Sequence, residues 1–232
     1  MAGARGGLFL AVGLGAVHAA PALTAVLPRL RPLLGVGDRL DGERGFALTF
    51  DDGPHPQGTP EVLAELDRLG VQATFFLVGE QVLRYPSLAA EIAAAGHRVG
   101  VHCFSHRNLL ARSPRRAVAD IKRAEQAIAE ATGIAPALYR PPYGVLSAAA
   151  LAYAHTRGWR TYLWTAWGRD WEATATPASI ARLLLRSAGP GGVGLLHDAD
   201  HYSAPGSHRK TAAALGAICA GLAERGLAPR PL

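Results

Sequence analysis

From residue 46 onward, short apolar runs alternate with longer segments whose apolar positions recur at helical spacing. The runs at 46–50, 73–78, 98–101, 137–139, 161–164 and 193–196 are too short for helices and predict buried strands. Three of the segments between them open on a hydroxyl residue followed by proline: Thr59-Pro60, Ser113-Pro114 and Thr176-Pro177. That pair marks a helix N-terminus, because the first turn does not use the N–H that proline lacks. Gly70, Gly96, Gly133 and Gly158 fall where the helical segments should stop, at the left-handed cap that glycine favours. Such alternation predicts a mainly parallel sheet, closed as a barrel or doubly wound.

The polar residues favour the barrel. Asp51 and Asp52, His102 and His106, Arg140, Asp170 and His197 each follow a predicted strand. In a parallel barrel all such positions gather at the C-terminal rim, where active sites form. Adjacent carboxylates at the end of a buried strand repel each other and are costly to desolvate, so a cation or a proton is needed beside them. Two imidazoles at a spacing of four, with one aspartate, make a three-ligand set for a catalytic divalent metal with positions left open. The other aspartate is then free to act as a base. The combination predicts metal-assisted hydrolysis.

Composition narrows the setting. A chain of 232 residues with 49% hydrophobic content suits one domain with a sizeable core. The formal charge of +6 is carried almost entirely by arginine, since Lys122 and Lys210 are the only lysines. These charges are scattered and no nucleic-acid motif accompanies them, so a solvated basic surface is favoured over nucleic-acid binding. Cys103 and Cys219 are too far apart in sequence to define a disulfide framework. Residues 6–28 are apolar apart from His18 and Thr24, and residues 29–44 read as a linker rich in Arg, Gly and Pro. The apolar run fits a signal peptide cut near Ala19-Ala20, a membrane anchor, or a segment packed on the domain. Export or membrane attachment is the expectation, giving an N-terminal unit of 1–44 and a catalytic unit of 45–232.

In order, Thr49-Phe50-Asp51-Asp52-Gly53-Pro54, His102-Cys103-Phe104-Ser105-His106, Arg140-Pro141-Pro142-Tyr143-Gly144, Asp170-Trp171 and Leu195-Leu196-His197 resemble the five motifs of the polysaccharide deacetylase family, carbohydrate esterase family four. The resemblance covers residues 46–227 and implies a distorted (β/α) barrel of about seven parallel strands. It also implies removal of acetyl groups from carbohydrate, N-acetylated as the first expectation and O-acetylated as the second. By the resemblance, Asp51 is the catalytic base, Asp52, His102 and His106 hold one divalent metal, and His197 is the general acid. Zinc is the expected metal, with cobalt, nickel or iron also suited to the set. Arg140 would hold Asp51, the Tyr143 N–H would stabilise the oxyanion, and Pro141 and Trp171 would line opposite groove walls. Asp170 would tune His197. Two departures stand out: Cys103 where the family has a loop-bracing hydroxyl, and Trp167 where it often has a further aspartate.

Other residues read more plainly. His55, His97, His155, His201 and His208 are expected to be structural or solvent-facing, and Asp198 either to orient the loop after His197 or to be a turn residue. Trp164 reads as core, whereas Trp167 and Trp171 suit stacking on a sugar face, with Phe104 as a further groove wall. Two rival functions remain: a catalytically silent carbohydrate-binding barrel, and a hydrolase of a non-sugar C–N bond.

Overall fold

The computed structural model describes residues 15–41 and 45–232. Among them nine strands form one sheet: β1 (Val36–Gly37), β2 (Gly45–Asp51), β3 (Thr74–Leu77), β4 (Arg98–Val101), β5 (Leu138–Tyr139), β6 (Arg160–Tyr162), β7 (Ala166–Trp167), β8 (Val193–His197) and β9 (Ala228–Arg230). Their order is β1-β6-β5-β4-β3-β2-β8-β7, with β9 beside the start of β2, and every pair is parallel. All six predicted strands are present. The three additions, β1, β7 and β9, are two or three residues long and, unlike the equally short β5 and β6, do not fall in an apolar run that reads as a strand.

The order requires curvature. β6 and β7 stand second and eighth along the path, six spacings apart, or about 29 Å in a flat sheet. Only Leu163–Thr165 joins them, and four Cα steps reach about 14 Å at most. The sheet therefore curls into a distorted (β/α) barrel. At its seam Leu163 N–H donates to Gly37 O (2.8 Å), Thr165 N–H to Val193 O (2.9 Å) and Leu40 N–H to Gly191 O (2.7 Å).

Seven helices surround the sheet among the described residues: α1 (Gly58–Arg68), α2 (Gly79–Arg84), α3 (Pro86–Ala94), α4 (Pro114–Thr132), α5 (Ala148–Thr156), α6 (Pro177–Ser187) and α7 (Ser207–Ala223). Ala117, Ile121, Ala124 and Ile128 bury one stripe of α4, the four-and-three spacing of a helix with one face on the core. Thr176 caps α6 reciprocally with Ser179, and Gly133 ends α4 at φ 71°. Thr59 departs from expectation: α1 begins one residue earlier, at Gly58. The Thr59 hydroxyl accepts from His55 N (2.7 Å) and donates to Asp198 instead, so it pins the loop after β8 rather than capping the helix.

The described part of residues 29–44 is not a free linker. Val36–Gly37 pairs with β6, and buried Arg31 donates to Thr24 O (2.9 Å), Asp38 (2.6 Å) and Trp164 O (3.0 Å). Residues 6–14 of the apolar run lie outside the described residues. No helix among the described residues is long and apolar enough to cross a membrane.

Register then builds the rim. Asp51 lies opposite His197 across β2 and β8, and Val101 opposite Tyr139 across β4 and β5. The residues that follow, Asp52, His102 and Arg140, are thereby brought to one end of the barrel.

Candidate active site

Successive side chains on a strand face opposite ways, yet Asp51 and Asp52 both line one cavity of about 340 Å³. The backbone resolves this. Asp52 has φ 81°, a left-handed conformation that aspartate tolerates better than most residues, and the turn swings its carboxylate to the side of Asp51. Asp52 Oδ1 is 3.6 Å from His102 Nε2 and 3.3 Å from His106 Nε2. Asp51 Oδ2 is 3.7 Å from His102 Nε2, and Asp52 Oδ2 is 4.0 Å from His197 Nε2.

These atoms fit a metal better than ion pairs. His102 Nδ1 is 2.8 Å from Arg140 O. A carbonyl only accepts, so Nδ1 carries the proton and Nε2 presents a bare lone pair. Burial lowers both imidazoles to about 3, so neither is the cation that would balance Asp52. Asp52 Oδ1 is buried with no hydrogen-bond partner among the described residues. Its carboxyl is pushed up to about 7, first by burial and then by Asp51 against the opposing pull of His197. Three donors each about 2.1 Å from one ion at tetrahedral angles stand about 3.4 Å apart, close to the two distances at Asp52 Oδ1. Asp52, His102 and His106 could thus hold one divalent ion.

Arg140 is fully buried and anchors the other side. Its Nη1 donates to Asp51 Oδ1 (2.8 Å) and Thr49 Oγ1 (2.7 Å), its Nε to Tyr162 O (3.2 Å) and its Nη2 to Leu163 O (3.3 Å). Burial raises the Asp51 carboxyl, and the Arg140 guanidinium is the largest influence opposing that rise. Thr49, the first residue of its motif but given no role there, passes its own proton to Gly194 O (2.7 Å) and so keeps a lone pair for Arg140.

Asp170, fully buried, grips His197 twice: Oδ2 accepts from His197 N (2.7 Å) and Oδ1 from Nδ1 (3.0 Å). Thr211 on α7 also donates to Oδ2 (2.8 Å). Burial alone would lower the His197 imidazole, but Asp170, Asp52 and Asp51 together carry it up to about 10. Its proton on Nδ1 is held by Asp170, leaving Nε2–H to face the cavity. Asp170 follows β7, not the predicted strand at 161–164, because the chain re-enters the sheet at Ala166.

Tyr143, Trp164, Trp167, Trp171, Leu195 and Tyr202 complete the walls. Trp164, expected in the core, is a wall residue. Pro141 is buried and does not line the cavity. Phe104 does not line it either: its ring is buried under the Arg123 guanidinium at 3.7 Å. The loop brace expected to weaken at Cys103 comes from Asp120, which accepts from Phe104 N (2.7 Å), Ser105 Oγ (2.6 Å) and Arg112 Nη1 (2.7 Å). The Cys103 thiol is buried 3.6 Å from the Tyr139 hydroxyl, and it is not among the side chains gathered at Asp52, His102 and His106.

A second cluster, His55, Asp200 and His208, has superficially similar spacing. His55 Nδ1 accepts from Gly58 N (2.9 Å), which places the ring proton on Nε2, 3.1 Å from Asp200 Oδ1. With both nitrogens engaged, His55 has no lone pair for an ion. These residues tie the loop carrying Tyr202 to α1, with His201 Nε2 lying 3.4 Å from Pro54 O. Asp200 is thus shared between the imidazoles of His55 and His208, at 3.1 Å and 3.9 Å.

Gly144 sits behind Tyr143 with φ 71°, and a Cβ there would lie 2.8 Å from the Trp164 ring. Gly144→Ala is expected to cost about 1–3 kcal/mol from the left-handed backbone, read as a lower urea midpoint, with the Trp164 wall displaced.

Residues 39–162 match the family described as Polysaccharide deacetylase. A chitooligosaccharide deacetylase of Azorhizobium caulinodans is 33% identical over 208 residues, 86% of this chain and 99% of that protein. A peptidoglycan-N-acetylglucosamine deacetylase of Bacillus cereus is 35% identical over 162 residues, 70% of this chain and 57% of that protein. The crystal structure of the Bc1960 peptidoglycan N-acetylglucosamine deacetylase superposes with a TM-score of 0.78 at 30% identity, covering 85% of this chain and 90% of that one. The barrel, its rim residues and these relatives together make the chain a member of the polysaccharide deacetylase family, carbohydrate-processing enzymes of carbohydrate esterase family four.

Proposed function

We propose that the chain removes acetyl groups from N-acetylated carbohydrate, using a divalent ion held by Asp52, His102 and His106. The observation that carries this reading is the Asp52 Oδ1 atom, buried without a hydrogen-bond partner and within 3.6 Å of His102 Nε2 and 3.3 Å of His106 Nε2. When bound, the ion would polarise the acetyl carbonyl and acidify a water.

Asp51 is the base. Arg140 fixes its Oδ1, so Oδ2 is the atom left to take the proton of the attacking water. The Tyr143 N–H donates to no backbone carbonyl among the described residues, and φ 59° turns this peptide at the cavity wall. It is free to donate to the developing oxyanion. His197 carries the proton that the leaving amine needs, and Asp170 keeps Nε2–H directed at the cavity. The products are acetate and an amino sugar.

Acetate release from an N-acetylglucosamine oligomer tests the reading: added zinc or cobalt should support it and a chelator should stop it. Absence of release with metal bound and the fold intact would overturn it. The pH profile tests the acid. His197 acts protonated, so activity is lost as pH rises through its pKa, which a bound cation pulls below the metal-free value of about 10. Asp170→Asn removes the largest part of the upward push on His197, so the alkaline limb should move to lower pH and kcat at neutral pH should fall. An unmoved limb would show that another group is the acid.

A further inference from the structure

The two imidazoles beside Asp52 Oδ1 are held by different means. His102 Nδ1 is fastened to Arg140 O at 2.8 Å, the kind of bond by which a metal-binding histidine fixes its ring. His106 has no such bond: its Nδ1 is buried and meets no hydrogen-bond partner among the described residues. The last torsion of a histidine is broad, so an unanchored ring samples planes in which Nε2 points away from Asp52. What meets this ring instead is aromatic. The Tyr202 ring is stacked on it, with centroids 4.3 Å apart and planes 18° apart, and the Tyr143 ring leans against it at 4.4 Å and 59°. We propose that Tyr202 is a positioning residue for metal binding, its ring holding the His106 imidazole in the plane that carries Nε2 toward the ion. The proposal rests on the metal site read at Asp52, His102 and His106, and it gives a role to a residue outside those three.

Both members of the stack are referred to one support. The Tyr202 hydroxyl donates to Glu80 Oε1 (2.6 Å) and accepts from Gln81 Nε2 (3.3 Å). Glu80 and Gln81 lie on α2, whose first amides, Gly79 N and Glu80 N, donate to Cys103 O and Phe104 O, each at 2.9 Å. Cys103 and Phe104 belong to the loop that runs from His102 to His106. The same short helix therefore holds the ligand loop by its backbone and the stacking tyrosine by its hydroxyl.

The backbone around Tyr202 is tied down independently. Asp200 Oδ2 accepts from Gly206 N (2.6 Å), Asp200 Oδ1 lies 3.1 Å from His55 Nε2, and Ala204 N donates to Trp171 O (3.0 Å). These ties keep the ring in place even when its hydroxyl is removed. Stacking sets the plane of the imidazole and engages neither of its nitrogens. With the proton on Nδ1, the Nε2 lone pair is left for the ion.

Zinc dissociation constants, measured on the metal-free chain by competition with a chromophoric chelator, test this without reference to turnover. Tyr202→Ala should weaken zinc binding by about threefold to tenfold, the scale of losing one aromatic partner behind a ligand. Tyr202→Phe keeps the ring and should stay within about twofold of the parent. Tyr202→Leu keeps apolar volume without an aromatic face and should weaken zinc as Tyr202→Ala does; it carries the test if the alanine variant does not fold. With cobalt in place of zinc, the visible absorption of Tyr202→Phe should match the parent's, and that of Tyr202→Leu should shift as one ligand loses its set direction. Equal affinities in the parent and every variant would overturn the proposal. So would equal weakening by Tyr202→Phe and Tyr202→Leu, which would place the effect in the hydroxyl and Glu80. A parent chain that takes up no ion would overturn the metal site itself, a result distinct from a parent that binds zinc and variants that bind it alike.

Discussion

Asp51→Asn should lower the rate of acetate release by about 10²–10⁴, the range that a positioned general base supplies, while the protein still takes up one divalent ion. The amide has nearly the shape of the carboxylate and can still accept from Arg140 through its oxygen. What it lacks is a basic atom facing the cavity. Metal uptake should persist because the three donors are on Asp52, His102 and His106. His102→Ala, by contrast, should lose both properties. Metal analysis after dialysis, run beside the acetate assay, separates the cases. An asparagine variant with ordinary turnover would mean that the proton goes elsewhere.

Arg140→Met should be the most damaging single change to stability. It leaves Asp51 buried without its cation and frees the carbonyls of Tyr162 and Leu163. Breaking one half of a buried ion pair costs about 3–5 kcal/mol, a large share of a typical domain's stability. Urea unfolding should show it as a lower midpoint at unchanged slope. In Asp51→Asn/Arg140→Met the unpaired charge is gone, so part of the loss should return. The cycle of four proteins measures the coupling directly. If the double variant is no better than Arg140→Met alone, the damage comes from the freed carbonyls rather than from the carboxylate.

Much of this was legible in the sequence because it depended on local pattern. β2 has all seven residues buried, so its run of apolar residues ending in Asp51 stands out, and the other five predicted strands are marked by apolar runs of their own. The seam was not legible: β1 and β7 have two residues each, and nothing in Val36-Gly37 or Ala166-Trp167 marks a strand. Their pairing depends on register with distant β6 and β8. Trp164 was read as core because a tryptophan in a strand usually is; only the curl of the sheet brings it to the cavity. Thr211 and Asp120 go unmarked, and Thr49 stands in its motif without a role, because each acts through partners 8 to 145 positions away, and a hydroxyl or a carboxylate within a helix or strand carries no spacing signal. His102 and His106 were easier, since their separation of four is itself a signature.

The short connection from Leu163 to Thr165 carries more than one duty. Its amides at Leu163 and Thr165 reach β1 on one side and β8 on the other, and the carbonyls of Leu163 and Trp164 receive Arg140 and Arg31. The side chain of Trp164 meanwhile walls the catalytic cavity. Loosening this staple would unzip the cylinder, release the guanidinium behind the base and tilt the aromatic ledge in a single movement. In this molecule the closure of the fold and the shape of the cavity at Asp51 are one mechanical element.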